Sequence, residues 1–364
     1  MERCRSQNQP TRPTLPFVTT QQSSPLIWAH EGKALLGRGR VRTFDPGIGP
    51  DRYEKALVAL RESGMPVGYA SFTFDPESEG SIVMVPERVD NIDVDDLAAS
   101  SDSVPEGTIE ADGSDSWMSG MARALQALET GALDKVVLSR QVEALFKADV
   151  PTLTVISRLH AAQPKCYTFS VNGLVGASPE LLVSFTDGYI TSLALAGTAI
   201  AEDGLQSQKI EREHRYTASS VERALASHVS DLRKKSSRIV SFGDIKHLAS
   251  RFEGQAVAGT SVLSVLASLH PTAAVAGTPK DVAISLIREI EPIGRGRYAG
   301  PVGWFNTDGE GEFAIALRCG LLRGHQVTLY AGGGIVVGSD ANTEFAETEL
   351  KLQPMRRALG LAQN

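Results

Sequence analysis

Glu344, Glu347 and Lys351 fall at i, i+3 and i+7 and so share one face of a helix, while Phe345 and Leu352 mark another. Such a face is either a solvated charged stripe or the wall of a site. The preceding run Ala331-Gly332-Gly333-Gly334-Ile335 argues for a site, because glycines between a strand (VTLY) and apolar residues leave backbone N–H groups open to a carboxylate or phosphate. A following helix would add its positive N-terminal end. A further carboxylate, Glu213, lies on the stripe that Ile210, Thr217, Val221 and Ala224 define at helical spacing. An acid there must be paired, bound to a metal or set at a cleft wall; the alternative is a stripe edge where it reaches water or an arginine. Carboxylates on two separate helices, Glu213 and Glu347, suit Mg2+, a hard cation that takes one or two protein carboxylates and bridges to an anionic substrate. Nothing points to zinc, since the 7 histidines are dispersed, with no HxxxH or CxxC pair.

Single charged residues beside apolar strands extend the set. Lys135 opens KVVLSR, which puts its ammonium at a strand mouth, and Glu180 follows Ser178-Pro179 just ahead of Leu181-Leu182. Arg318 sits in FAIALRCGLL, where an unpaired guanidinium would be costly, so it is either a buried structural pair or an anion clamp. His247 in DIKHLASRF and Tyr298 in GRGRYAGPVGWF can equally be hydrogen-bonded core residues. The GRGR segments at Gly37–Arg40 and Gly294–Arg297 lack a strand–loop–helix context and read as turns.

These residues need elements to hold them. Residues 1–23 are rich in Pro, Gln, Ser and Thr without a periodic apolar pattern and read as a disordered tail. Over residues 24–117, SPLIWAH, KALLGRGRVRTF, PVGYASFTF and GSIVMVPERV read as strands, DRYEKALVALRES as a helix, and the acidic stretch Asp90–Ser116 as an exposed connection. Residues 118–362 carry the motifs. Helices are expected in WMSGMARALQALETGALDK, PTLTVISRLHAAQP, QSQKIEREHRYTASSVERALASHVSDLRKK, TSVLSVLASLH, KDVAISLIREIE and from about Ala341 to Leu359, with strands between them. Helices mixed with hairpin-like strand runs give an α+β fold class. A chain of 364 residues with 42% hydrophobic and 22% charged residues is ordinary globular material. Its net charge of −7 gives no bulk attraction to nucleic acid or anionic membrane. No apolar run spans a bilayer, the amino terminus lacks the apolar core of a secretory signal, and 3 scattered cysteines favour a reducing, cytoplasmic setting.

KVVLSR (Lys135–Arg140), GASPELL (Gly176–Leu182), LAGT (Leu195–Thr198) and the K-x-x-x-E-H helix (Lys209–His214) resemble, in this order, the motifs of the chorismate-utilising enzymes. The resemblance continues through KHLAS, LHPTAAVAGTPK, GRYAGPVGWF, IALRCG and AGGGIV…TEFAETELKL, covering nearly everything from residue 118 onward. This family holds the isochorismate, salicylate, anthranilate and aminodeoxychorismate synthases. The resemblance implies a single catalytic domain over residues 24–364, with mostly antiparallel sheet in its core and helices outside. Lys135 stands where amine-transferring members carry glutamine, and HPTAAVAGTPK and GASPELL are similar to the isochorismate synthase forms. The activity implied is isomerisation of chorismate to isochorismate, feeding menaquinone or salicylate-type siderophore synthesis. Salicylate synthases, which share the lysine, are the alternative; an inactive binding subunit or an amine-transferring enzyme would be further ones.

The roles implied follow the motifs. Lys135 is the base that activates water for attack at C2, and Glu180 the acid for the departing C4 hydroxyl. That requires a lysine brought down from its ordinary pKa and a glutamate pushed up, as burial can do. Glu213 and Glu347 would hold Mg2+ on the ring carboxylate, with Glu344 acting through water. Arg318, Tyr298 and the N–H groups of Gly332, Gly333 and Gly334 would meet the enolpyruvyl carboxylate, with Lys351 near the metal-bound one. His247 and Thr198, with the Ala196-Gly197 backbone, would lie beside the reacting hydroxyl. Relatives usually carry an acid where this chain has Ile210, so metal binding is expected to survive but weaken. Family likeness leans to a monomer whose partner is its small-molecule substrate.

Overall fold

The computed structural model describes residues 17–20, 24–97, 102–199, 208–242, 245–291 and 293–361, at some of which, Thr198 and Glu213 among them, only the backbone is described. Most of the expected tail thus lies outside the described residues. Within it, however, Val18–Thr20 forms a strand paired with Val41–Thr43, which corrects the reading of 1–23 as wholly disordered. Its β-branched residues suit an added edge strand, and the preceding Phe17 ring packs 5.8 Å from Phe44.

The fold is α+β, as expected. Every strand pairing among the described residues is antiparallel, and the pairings join nineteen strands into one network. None of the described helices is long and apolar enough to cross a membrane.

Two long strands make the spine of the site. Lys135–Phe146 pairs along its length with Gln326–Ile335, matching Val137 with Gly334 and Ser139 with Gly332. Alternation then sorts the side chains by face. The even positions from Val136 to Phe146 are buried, Leu138 beside the Gly120 backbone of helix Ser114–Glu129 and Arg140 against helix Ala341–Leu359. The odd positions Lys135, Val137 and Ser139 face the other way, into a cleft. A one-residue slip would exchange the two sets, so the buried even face fixes which residues reach the cleft.

Three elements differ from expectation for identifiable reasons. The helix expected to run to Lys235 spans Gln208–Leu225, because Arg233–Lys234 pairs as a strand with Phe252–Glu253. The stretch Asp90–Ser116 is not merely a connection: a strand runs on to Asp93 and Gly107–Ala111 pairs with the lysine strand. FAIALRCGLL is two strands, Gly311–Ile315 and Cys319–Arg323, broken where Arg318 takes φ 49°. Of the GRGR segments, Gly294–Arg297 lies in turns, whereas Gly37–Arg40 lies in strand Lys33–Phe44, whose pairing shifts register between Arg38 and Val41.

Beside Lys135 the sheet edge is a two-residue strand, Gly277–Thr278, pairing with Val136 and Lys135. Gly277 has φ +143°, and a Cβ there would sit 2.2 Å from the Lys135 carbonyl oxygen. Gly277→Ala should therefore destabilise the protein by about 1–3 kcal/mol, read as a lower denaturant midpoint at unchanged m-value. An unchanged midpoint would contradict this packing.

Candidate active site

One cleft of about 820 Å3 of empty space, its open mouth included, collects most of the residues singled out from the sequence: Lys135, Glu180, His247, Tyr298, Arg318, Glu347 and Lys351 line it, with the backbone of Gly332–Gly334. That is the size range of small-molecule sites. These residues come from at least six separate segments, so their meeting is a product of the fold.

Lys135 is 2% exposed and Glu180 5%. Glu180 enters from the loop between strands Leu174–Ser178 and Leu181–Thr186. That loop is fixed: Ser178 Oγ donates to the Ile315 carbonyl at 2.6 Å, and the Glu180 N–H donates to Ser178 Oγ at 3.2 Å. Burial pushes the Glu180 carboxyl up to about 8; the Leu195 N–H at 3.5 Å and the charge of Lys135 oppose that rise only in part. At neutral pH Glu180 is a protonated acid beside an amine.

The opposite wall is built for anions. Arg318 is half-buried, and its Nη1 is shielded from solvent without a hydrogen-bond partner among the described residues. Burial pulls its pKa down, while Tyr298 and Glu347 act to raise it. A buried guanidinium N–H left unmet is a strong demand for an acceptor. Tyr298 stacks on Tyr330 with ring centroids 5.1 Å apart, and burial raises both phenols, that of Tyr330 to about 12, so each remains an O–H donor.

The glycine run, which follows VTLY in the sequence, forms the end of the same strand, Gln326–Ile335. Strand Cys319–Arg323 leaves this strand after pairing Gly320 with Leu329, so the edge of the glycines beyond has no strand partner among the described residues. Lys351 caps part of it, donating to the Gly332 carbonyl at 2.9 Å and pairing with Glu347 at 2.5 Å. Glycine is needed because the floor is thin: a Cβ at Gly332 would lie 2.6 Å from the Leu138 carbonyl and 3.1 Å from the Tyr298 hydroxyl.

The remaining expected residues lie differently. Glu344 does not line the cleft: it is 2% exposed, accepts from Ser339 Oγ at 2.8 Å, and has an oxygen 3.6 Å from where a Gly333 Cβ would be. Glu213 sits in helix Gln208–Leu225 and Ala196, Gly197 and Thr198 in strand Tyr189–Ala199, but their side chains lie outside those described. That strand pairs with the His247 strand with a register shift between Ala196 and Ala199. Among the described residues no three His, Cys, Asp or Glu side chains converge as a metal site. Sequence reading missed Tyr330, Ser139 and Arg295, all lining the cleft. Arg295 was hidden in a segment read as a turn; its one signal was Glu291 four residues earlier.

The profile described as chorismate binding enzyme matches residues 84–360. The chain belongs to this family. Among its relatives is the isochorismate synthase EntC of Escherichia coli, 32% identical over 353 residues, covering 86% of this chain and 88% of that one. A protein of Aeromonas hydrophila provisionally named isochorismate synthase is 37% identical over 263 residues, 67% of this chain. The match spans just under two thirds, 66%, of the Aeromonas protein. A Bacillus anthracis crystal structure, assigned as a 2,3-dihydroxybenzoate-specific isochorismate synthase, superimposes with a TM-score of 0.85 at 28% identity, covering 94% of this chain and 98% of that one.

Proposed function

We propose that this member of the chorismate-binding family is an isochorismate synthase, with Lys135 as base and Glu180 as acid. The observation that carries the reading is a buried carboxyl held protonated in one cleft with a buried amine. In the reaction a water oxygen bonds to C2 of chorismate, the ring double bonds shift, and the C4–O bond breaks. The water's proton goes to Lys135, which acts in its uncharged form, and the departing hydroxyl leaves as water with the proton of Glu180. The pair ends as ammonium and carboxylate, attracted to one another, and resets by exchange with solvent. A carboxyl raised by burial is what the acid role requires.

Chorismate carries two carboxylates, and the cleft offers two places for them. Arg318 Nη1, the Tyr298 hydroxyl and the bare glycine edge suit the enolpyruvyl carboxylate. Glu347 brings a carboxylate oxygen into the cleft, the donor chemistry of a hard divalent cation. We infer that Glu347 and Glu213 would hold Mg2+, with Glu344 acting through water. The ion would neutralise the ring carboxylate, and Lys351 would balance the charge beside it. His247 and Thr198 would orient the reacting hydroxyl. Glu347→Gln should raise the Mg2+ concentration for half-maximal activity at least tenfold; an unchanged metal titration would remove Glu347 from the ligand set.

Chromatography of the products from chorismate and Mg2+ tests the whole reading. Isochorismate as the main product is expected. Salicylate with pyruvate, or anthranilate when ammonia is supplied, would overturn it.

A further inference from the structure

Beyond Val137 the lysine strand loses its neighbour. On that edge Gly277–Thr278 reaches only Val136 and Lys135, and the next strand, Gly107–Ala111, begins pairing at Glu143. A gap of this kind leaves backbone donors and acceptors that must be met some other way. The side chains of Glu291 and Arg295 meet two of them. The Ser139 N–H donates to Glu291 Oε1 at 2.8 Å and its hydroxyl to Oε2 at 2.9 Å. Arg295 Nη2 donates to the Val137 carbonyl at 2.6 Å and Nη1 to the Val275 carbonyl at 2.7 Å. Two further N–H groups of Arg295 run to Glu291, each at 2.7 Å. The guanidinium is 1% exposed as a side chain and lies 4.2 Å over the Phe74 ring.

From this geometry we propose that Arg295, oriented by Glu291, is a positioning residue for Lys135. Its planar fork ties the lysine strand to the Val275 segment across the gap and thereby sets where the Lys135 amine stands. The Arg295–Glu291 pair carries no net charge, so what it contributes to the cleft is geometry. Lysine cannot replace it, because an ammonium is a point charge that cannot span both carbonyls and a carboxylate in one plane. The inference rests on the reading of Lys135 as base, and misplacement of a reacting group by about 1 Å can lower a rate ~100-fold.

The test compares wild type with R295K and R295Q in chorismate turnover and in hydrogen exchange of the peptide spanning residues 135–139. In R295K, kcat should fall about 10- to 100-fold with KM within about threefold. The pH dependence should keep its shape, because the charge is retained. Exchange at 135–139 should quicken at least tenfold in both variants while the strand Leu181–Thr186 is unchanged. A merely structural Arg295 would lower thermal stability and leave kcat per folded molecule at the wild-type value; that result, or unaltered exchange at 135–139, overturns the proposal. Wild type that leaves chorismate unconsumed would instead sink the hydration reading, and the exchange comparison would still decide whether Arg295 holds the strand.

Discussion

Lys135→Ala should lower kcat/KM for chorismate by about 100- to 10,000-fold, the usual range for a lost general base, and leave the protein folded. The strand itself is secured by backbone pairing to Gly277–Thr278 on one side and to the glycine strand on the other. Neither set of bonds involves the lysine side chain. Removing the side chain also lifts the requirement to keep an amine almost wholly out of water. Steady-state kinetics with a thermal melt on the same preparation separate the two effects. Hydration within a few-fold of wild type would remove Lys135 from the chemistry, while a collapsed melt would place it in the structure.

Glu180→Gln is the complementary loss. The amide has the shape of the protonated acid but no proton to give, so chorismate should bind with little change in KM while kcat falls by about 100- to 10,000-fold. The same substitution has a signature in stability. The folded-state pKa of Glu180 lies above its ordinary value, so its contribution to stability is complete below the ordinary carboxylate range and is lost progressively as pH rises to about 8. Glu180→Gln should abolish that decline, which denaturation at several pH values would reveal; an equal decline in both proteins would contradict a buried neutral acid.

Much of the site was legible before the fold was known. Spacing alone put Glu347 and Lys351 on one helix face, and Arg318 drew notice as a charge in an apolar strand. What spacing could not give was which side of a strand faces the substrate. The glycine triplet illustrates this: the sequence marked it as bare backbone following VTLY, but only the pairing shows that Gly332 and Gly334 share the cleft-facing side with Ser139 and Val137. Glu344 illustrates the converse, a shared helix face that the edge of a strand divides into one residue in the cleft and one behind it. Arg295 was illegible because its partners, Val137 and Val275, are backbone carbonyls distant in sequence, and a carbonyl leaves no mark in residue type. The N-terminal strand at Val18–Thr20 was missed because three residues carry no period to read.

The central claim is a carboxyl kept protonated near neutral pH by its surroundings, and the dependence of kcat/KM on pH reports it in the free enzyme. Wild type should lose activity about tenfold per pH unit above roughly 8, where Glu180 ionises, and Glu180→Gln should show a low rate without that limb. A wild-type rate that holds steady well above that pH, or the same limb surviving in Glu180→Gln, would contradict the account.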